Sequence, residues 1–130
     1  MTGVQTCALP ISLVGVQGKE LYIIAGTSGE GGTATSGGTP VTSIDNGRIK
    51  VPAYVWKVIV VLSNGSNDLS RVGTSTRVIS VIMPNNNDVN TDWRSYRTSV
   101  NDIETLTSYD LLSNLSTSLQ STIEARVDNQ

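Results

Sequence analysis

The first two thirds of the chain alternate short apolar runs with long polar stretches, a pattern typical of strands joined by loops. Residues 20–26 are mostly apolar, rich in β-branched and aromatic types, and lie between glycines, which predicts a buried strand. Residues 54–62 form the strongest run of this kind and predict a central strand. Residues 77–83 predict a further strand, which we expect to pair antiparallel with the central one.

Polar segments separate these strands. Residues 27–46 are nearly all Gly, Ser and Thr, so they cannot bury apolar surface and should form a long surface loop. Residues 48–51 predict a short strand. In the turn at residues 63–68, Asn64 and Gly65 are the types that supply positive φ angles. A further polar loop is expected after Pro84.

The last third of the chain changes to helical spacing. Ser99 and Asp102 approximate a capping box, which predicts a helix that ends near Ser108. Residues 117–120 form a second capping pattern and predict a final helix over residues 116–127. The apolar faces of the two helices would be formed by Val100, Ile103 and Leu106, and by Leu119, Ile123 and Val127.

The order of the elements, strands first and helices last, predicts an α+β fold. We expect a mostly antiparallel sheet with the C-terminal helices packed on one face. The strand at residues 54–62 is apolar on both faces, and these helices can cover only one of them well. The other face would therefore need a further partner.

The amino-acid composition limits which catalytic groups, metal ligands and disulfides this chain can contain. The 130 residues, 38% of them hydrophobic, suit one small domain, and a net charge of −2 shows no basic stripe of the kind that nucleic-acid binders carry. The sequence contains no histidine, which removes the commonest general base and the commonest metal ligand. Its single cysteine, Cys7, excludes an intrachain disulfide.

Residues 1–11 resemble the conceptual translation of a sequencing-library adapter read from a GTG start codon. On this interpretation the native reading frame begins near Ser12 and Cys7 is an artefact. The alternative is a secretory signal peptide with residues 8–16 as its apolar core. No basic residue precedes that run, Pro10 interrupts it, and no small-residue cleavage site follows before Lys19.

Four blocks carry a family resemblance: residues 20–26, residues 51–58 (Val-Pro-Ala-Tyr-Val-Trp-Lys-Val), residues 92–100 (Asp-Trp-Arg-Ser-Tyr-Arg-Thr-Ser-Val), and Ile103 and Glu104 with residues 107–110. Together, in this order, they resemble the bacterial DNA/RNA non-specific endonucleases, relatives of mitochondrial endonuclease G. The resemblance runs from Leu13 to the end of the chain. It implies that residues 12–130 are the C-terminal half of a ββα-metal nuclease domain, an incomplete version of that fold.

The resemblance also implies a reaction. Members of this family cut DNA and RNA with little regard for sequence, with a divalent cation, typically Mg²⁺, as cofactor. A histidine in an Asp/Asn-Arg-Gly-His motif activates water, and an asparagine and a glutamate help to hold the hydrated metal. All of these precede the Leu-Tyr-Ile-Ile-Ala-Gly block, and residues 13–17 would be the end of the metal-binding helix. No catalytic or metal-binding residue is therefore assigned here, and this chain is expected to bind no metal and to be inactive alone.

Three cations are the candidates for nucleic-acid binding, because sequence-independent binding relies on backbone phosphates. They are Lys57, Arg94 and Arg97. The alternatives are that the two arginines solvate the surface or pair with carboxylates, and that Lys57 lies at a sheet edge or in a cross-strand pair. Trp56 and Trp93 could stack on bases, but core packing is the favoured interpretation.

Two further groups have a structural interpretation. The acidic residues Asp102, Glu104, Asp110 and Glu124 show no metal-site spacing and are interpreted as solvated positions on helix faces. The glycines at 29, 31 and 32 lack the Gly-Lys-Ser/Thr ending of a phosphate-binding loop and are interpreted as a flexible surface loop.

The rival hypothesis is a small secreted β-rich binding module without catalysis, for which the Ser/Thr/Asn-rich loops would be natural. The nuclease interpretation carries its own expectations. They are DNA and RNA as substrates of the intact enzyme, no membrane association, secretion or a periplasmic location, and a homodimer as one oligomeric state. A fragment would also be expected to leave a sheet edge unpaired and to lack a unique stable fold.

Overall fold

The computed structural model describes residues 8–130, and within them it confirms an α+β fold. Residues 1–7, which include Cys7 and most of the predicted adapter segment, lie outside the described part. The elements are, in chain order, α1 (Ala8–Ile11) with a π-helical continuation (Ser12–Val16), β1 (Lys19–Ser28), β2 (Ser43–Ile44), β3 (Ile49–Lys50), β4 (Tyr54–Ser63), α2 (Asp68–Arg71), β5 (Arg77–Pro84), a 3₁₀ turn (Trp93–Tyr96), β6 (Arg97–Thr98), α3 (Val100–Thr107) and α4 (Thr117–Ile123).

The main sheet is antiparallel and has the strand order β1-β4-β5-β6. Residue Ile59 of β4 lies opposite Ile23 of β1 on one side and Ile79 of β5 on the other. The predicted central position of this strand and its antiparallel pairing with the strand at 77–83 are both confirmed. The small β2-β3 hairpin is separate from this sheet.

One face of the sheet, here called the front face, is covered by the C-terminal helices. Trp56, Val58, Val60, Leu62 and Val78 project from the sheet onto this side, because alternate strand residues share a face. Val100, Ile103, Leu111 and Ile123 pack against them, and three of these four side chains are completely inaccessible. The helices therefore lie where the sequence predicts them.

The opposite face, here called the back face, is covered more fully than predicted. Ile59, Val61, Ile79 and Val81 pack there against Leu13, from the π-helical segment, and Trp93, from the 3₁₀ turn. Leu13 is only 1% exposed, and a buried leucine contributes about 1.5–3 kcal/mol relative to an exposed one. Residues 13–17 do form a helix end, and the expectation that one side of the sheet would lack cover is wrong over these strands.

The side chains of β1 are more exposed than the sequence predicts. β1 is a strand, as expected, but it lies at the sheet edge with β4 as its one neighbour among the described residues. Tyr22 and Ile23 are 47% and 49% exposed, and neither side chain belongs to the core on its face of the sheet. Within residues 8–130, the outer edge of β1 therefore has no strand partner.

The turn after β4 also departs from its prediction. Positive φ occurs at Asn67, at 60°, and not at Asn64 or Gly65. The turn is instead tied to β1 by polar contacts: the backbone N–H of Gly65 donates to Glu20 at 3.0 Å, and Arg71 donates to the same carboxylate at 2.9 Å. These contacts hold the turn against β1.

The glycine-rich segment is an exposed loop as predicted, but parts of it are fixed. Gly32 is buried, and an added Cβ there would lie 2.6 Å from the Asn85 side chain. The N–H of Thr33 donates to the Asn85 carbonyl at 3.0 Å, and the Asn85 amide donates to the Pro52 carbonyl at 2.9 Å. The loop is thereby held against the segment that follows β5.

The predicted cap and bounds are confirmed for the first C-terminal helix, α3, but not for the second, α4. At α3 the capping box of Ser99 and Asp102 is present in full, and Ser108 is the C-cap. α4 is shorter than predicted and ends at Ile123; its N-cap is Ser116, which makes no side-chain cap bond. The predicted cap at residues 117–120 is therefore wrong: Gln120 instead donates to the carbonyls of Leu112 and Leu115, at 3.2 and 3.0 Å.

Among residues 8–130, no helix is both long enough and apolar enough to cross a membrane.

Candidate nucleic-acid interface

Lys57 is partly buried in the middle of the sheet rather than at its edge. It faces Ala25 of β1 and Val81 of β5, so it has no carboxylate directly opposite on either neighbouring strand. On the back face it lines a shallow depression with Leu9, Trp93 and other apolar residues. The aliphatic stem of a lysine can lie on such apolar surface while its ammonium group reaches solvent.

The sheet register aligns Lys57 with a second candidate. Lys57 lies opposite Val81, and Val81 lies opposite Arg97, so the three residues form one row across β4, β5 and β6. Residues directly opposite share a face, and strands are about 4.8 Å apart, so the two cationic positions lie on the back face about 10 Å from each other.

The guanidinium group of Arg97 binds residues of the C-terminal segment. It lies 3.9 Å from the Asp128 carboxylate and donates to the carbonyl of Gln130 at 3.4 Å. Arg77, also on the back face, holds the same carboxylate through two hydrogen bonds of 2.7 and 2.8 Å. The Asp128 side chain is only 3% exposed. We call Asp128 with its two arginines the C-terminal clamp.

Arg94 is the most exposed of the three candidates. Its guanidinium carbon lies 5.3 Å from the centre of the Trp93 ring, within the range of a cation–π contact. The same group lies 3.4 Å from the Asp92 carboxylate, and both side chains of that pair are 54% exposed. An exposed pair of this kind contributes little to stability, so the arginine could exchange its partner at little cost.

Both tryptophans are core residues, as the favoured interpretation has it. Trp56 is 2% exposed and Trp93 is 7% exposed, so neither ring is free to stack on a base. Trp56 also packs edge-on against Tyr109, with ring centres 6.3 Å apart. The indole N–H of Trp56 is buried without an acceptor among the described residues.

The structure therefore places the three candidates on or next to the back face. They differ in whether a carboxylate already binds them. Arg97 is bound to a buried carboxylate and Arg94 to an exposed one. Lys57 forms no ion pair with any described residue. Of the three candidates, Lys57 is therefore the one whose charge has no ion-pair partner in this part of the chain.

The family model of the DNA/RNA non-specific endonucleases matches residues 12–118. The chain belongs to this family. A protein named Nuclease from Nostoc sp. (strain PCC 7120 / SAG 25.82 / UTEX 2576) is 45% identical to this DNA/RNA non-specific endonuclease chain over 113 residues. That alignment covers 87% of this chain and 38% of the Nostoc protein, so the chain spans well under half the length of this relative.

The acidic residues of this endonuclease-family chain do not fit a metal site. Among residues 8–130, no group of three or more Asp, Glu, Cys or His side chains is placed to hold a metal ion. Asp102 accepts hydrogen bonds within its capping box, and Glu104 accepts the N–H of Leu111 at 2.7 Å. These carboxylates have structural partners, and no catalytic step through a metal follows from them.

Glu124 differs from the solvated helix position that the sequence predicts. It is only 6% exposed, and its Oε1 atom has no hydrogen-bond partner in the described part of the endonuclease-family chain. Asp128 and Arg77 were likewise not apparent as a functional group of residues, because they lie 51 residues apart and no local motif connects them. Pairings at that separation become visible only in the fold.

Proposed function

We propose that this chain is the C-terminal part of a metal-dependent endonuclease that hydrolyses phosphodiester bonds in DNA and RNA without regard to sequence. Its role is to supply substrate-facing surface and core packing rather than the reacting groups. The family match and the 45% identity with the Nostoc nuclease support the nuclease assignment. The binding-module alternative has no comparable support.

We further propose that the chain is inactive alone. Hydrolysis near neutral pH needs a group that deprotonates water and a cation that neutralises charge on the phosphate. The sequence contains no histidine, and the acidic residues of the described part do not form a metal site. In the proposed intact enzyme, Mg²⁺ and the general base belong to the rest of the domain.

The observation that carries the proposed substrate contact is the position of Lys57. It lies on the back face beside the helical segment at residues 8–16, and it forms no ion pair with a described residue. A lysine so placed can neutralise one backbone phosphate without reading a base, which suits an enzyme indifferent to sequence. Arg94 and Arg97 are secondary contacts, because each must first leave a carboxylate.

The experiment joins residues 12–130 to the preceding part of the Nostoc nuclease and compares this chimera with the 130-residue chain on plasmid DNA in the presence of Mg²⁺. We expect cleavage by the chimera and none by the chain alone. Lys57→Gln in the chimera should raise KM for DNA several-fold and reduce the salt dependence of DNA binding by about one phosphate contact. The control is Lys50→Gln, since Lys50 is 69% exposed and paired with Glu30.

Each part of the proposal can fail separately. Cleavage by the 130-residue chain would show that the reacting groups are present in it. A folded chimera without activity would remove the nuclease assignment. An active chimera in which Lys57→Gln and Lys50→Gln behave alike would leave the assignment intact and exclude Lys57 as a phosphate contact.

A further inference from the structure

Glu124 occupies the junction between the two C-terminal helices. It follows α4 directly: its N–H donates to the Gln120 carbonyl at 2.9 Å, and its own carbonyl accepts the Asn101 N–H, from the first turn of α3, at 3.2 Å. The residue is 6% exposed, and its Oε1 atom is buried without a partner in the described part of the chain. A carboxylate in such a place is unfavourable unless its charge is removed or compensated.

The surroundings do not compensate that charge. Two other carboxyl groups act on Glu124, namely Glu104 of α3 and Asp110 of the loop that follows α3. Glu104 is fixed by the N–H of Leu111, so it cannot turn away freely.

The arginine in the segment after α4, and the two arginines that hold this segment, have other partners. Arg126 donates to the Thr76 carbonyl at 2.8 Å, and Arg77 and Arg97 hold Asp128. None of them forms an ion pair with Glu124. Burial without compensation therefore favours the neutral form of the Glu124 carboxyl group.

We propose that Glu124 forms a pH-sensitive contact between α3 and α4. The contact is intact when its carboxyl group is neutral and is weakened when that group ionises. The proposal rests on the packing of the helices and not on the proposed nuclease function.

The direction of the pH dependence follows from linkage. Burial, and then the charges of Glu104 and Asp110, raise the pKa of Glu124 from 4.5 to about 7. The unfolded chain loses this proton near pH 4.5 and the folded chain only near 7, so in that interval the unfolded state binds fewer protons. Stability must then fall as pH rises, and by pH 8 the unfolding equilibrium constant should have increased by a factor of roughly a few hundred.

The other acidic groups whose pKa values are shifted do not titrate in this interval. The sequence has no histidine. The pKa values of Asp68 and Asp102 are lowered by hydrogen bonds, first from Tyr22 and from Ser99 respectively, so both are ionised throughout. The pKa of Tyr22 is raised from 10.0 by its hydrogen bond to Asp68, so that phenol stays neutral. A stability change between pH 5 and 7.5 therefore reports mainly on Glu124.

The first test is urea unfolding of the full 130-residue chain at several pH values from 5 to 8. The unchanged chain should lose stability as pH rises, and Glu124→Gln should remove most of that slope and be the more stable protein at pH 8. Glu30→Gln is the matched control, because Glu30 is 60% exposed and should leave the slope unchanged. Asp110→Asn should keep the transition but move its midpoint to lower pH, which a purely structural role would not do.

A second measurement uses the unchanged chain alone. Amide hydrogen exchange at Asn101, whose N–H donates to Glu124, is compared with exchange at Ile59 in the central strand after correction for intrinsic rates. We expect protection at Asn101 to fall at least tenfold relative to Ile59 between pH 5.5 and 8. A constant ratio, or a Glu124→Gln chain that keeps the full pH slope, would overturn the proposal.

Discussion

Gly26 of β1 shows how one residue supports the core at the residue scale. Its partner across the strands is Trp56, and a Cβ at this position would lie 2.5 Å from the indole ring. The ring therefore lies directly over the Gly26 backbone. This close approach, rather than an unusual φ angle, is the reason why glycine is needed at residue 26.

Replacing Gly26 with alanine should therefore destabilise the chain by about 1–3 kcal/mol, because the Trp56 ring would be displaced inside a packed core. Gly15→Ala is the matched control: nothing lies within 4 Å of its added Cβ. Since Gly15 is in a helical segment, its replacement should be neutral or stabilise by about 0.5–1 kcal/mol. Thermal unfolding followed by near-ultraviolet circular dichroism distinguishes the two, and equal effects would mean that the ring does not rest on Gly26.

Single residues were predictable from the sequence when their surroundings were local. The burial of Trp56 follows from the apolar strand that contains it. Glu124 could not be predicted, because its burial depends on the contact between α3 and the end of α4, and helical periodicity places it on a polar face. Lys57 was identified as a candidate, but its freedom from ion pairs required the sheet register.

At the scale of elements, α3 and α4 both have a serine as N-cap, but the two serines make different hydrogen bonds. Ser99 accepts the Asp102 N–H at 3.1 Å, and Asp102 accepts the Ser99 N–H at 3.0 Å. Ser116 makes no side-chain bond at the start of α4. Two serines in equivalent positions therefore differ in whether their hydroxyl group satisfies the helix terminus.

Ser99→Ala should cost about 0.5–2 kcal/mol of stability, whereas Ser116→Ala should cost no more than a few tenths. The pKa of Asp102 is lowered from 3.8, chiefly by the Ser99 hydroxyl, so this contribution is present above pH 3.8 and is lost as pH falls through the lower folded value. Urea unfolding at pH 6 and pH 3 checks both statements. A Ser99→Ala penalty that is as large at pH 3 would exclude the ionised carboxylate as its cause.

The sequence predicted the positions of the strands and helices better than it predicted how deeply their side chains are buried. The strands at 54–62 and 77–83 are where the apolar runs place them, and the α3 cap was visible as a four-residue motif. The predicted burial of residues 20–26 was wrong for this chain, because an apolar run does not reveal whether a strand has one neighbour or two. The nucleic-acid role of Lys57, Arg94 and Arg97 stays a prediction.

At the scale of the whole molecule, the C-terminal clamp connects the end of the chain to the far side of the sheet. Ile123 packs on the front face, whereas Asp128 binds arginines that belong to the back face. The last residues thereby join both layers. The two ion pairs of the clamp are those of the described part in which the carboxylate is almost completely buried.

Asp128→Asn should lower the free energy of unfolding by about 2–4 kcal/mol, because it places an amide against two partly buried guanidinium groups. Asp45→Asn is the control, since Asp45 pairs with Arg48 at 3.7 Å with both side chains largely exposed, and its loss should cost under about 1 kcal/mol. Chemical denaturation at pH 7 compares the two. Equal, small losses would show that the C-terminal segment contributes nothing to stability.

The clamp also has a consequence for the order in which the protein is made and folded. Arg77 emerges from the ribosome 51 residues before Asp128. At about 5–20 residues per second, the arginine waits roughly 3–10 s for its carboxylate during synthesis. During that interval the nascent sheet carries an unmatched positive charge on the back face and lacks Ile123 on the front face. The pairing of β4 with β5 can therefore precede the Arg77–Asp128 ion pair, because both strands are synthesised before Asp128.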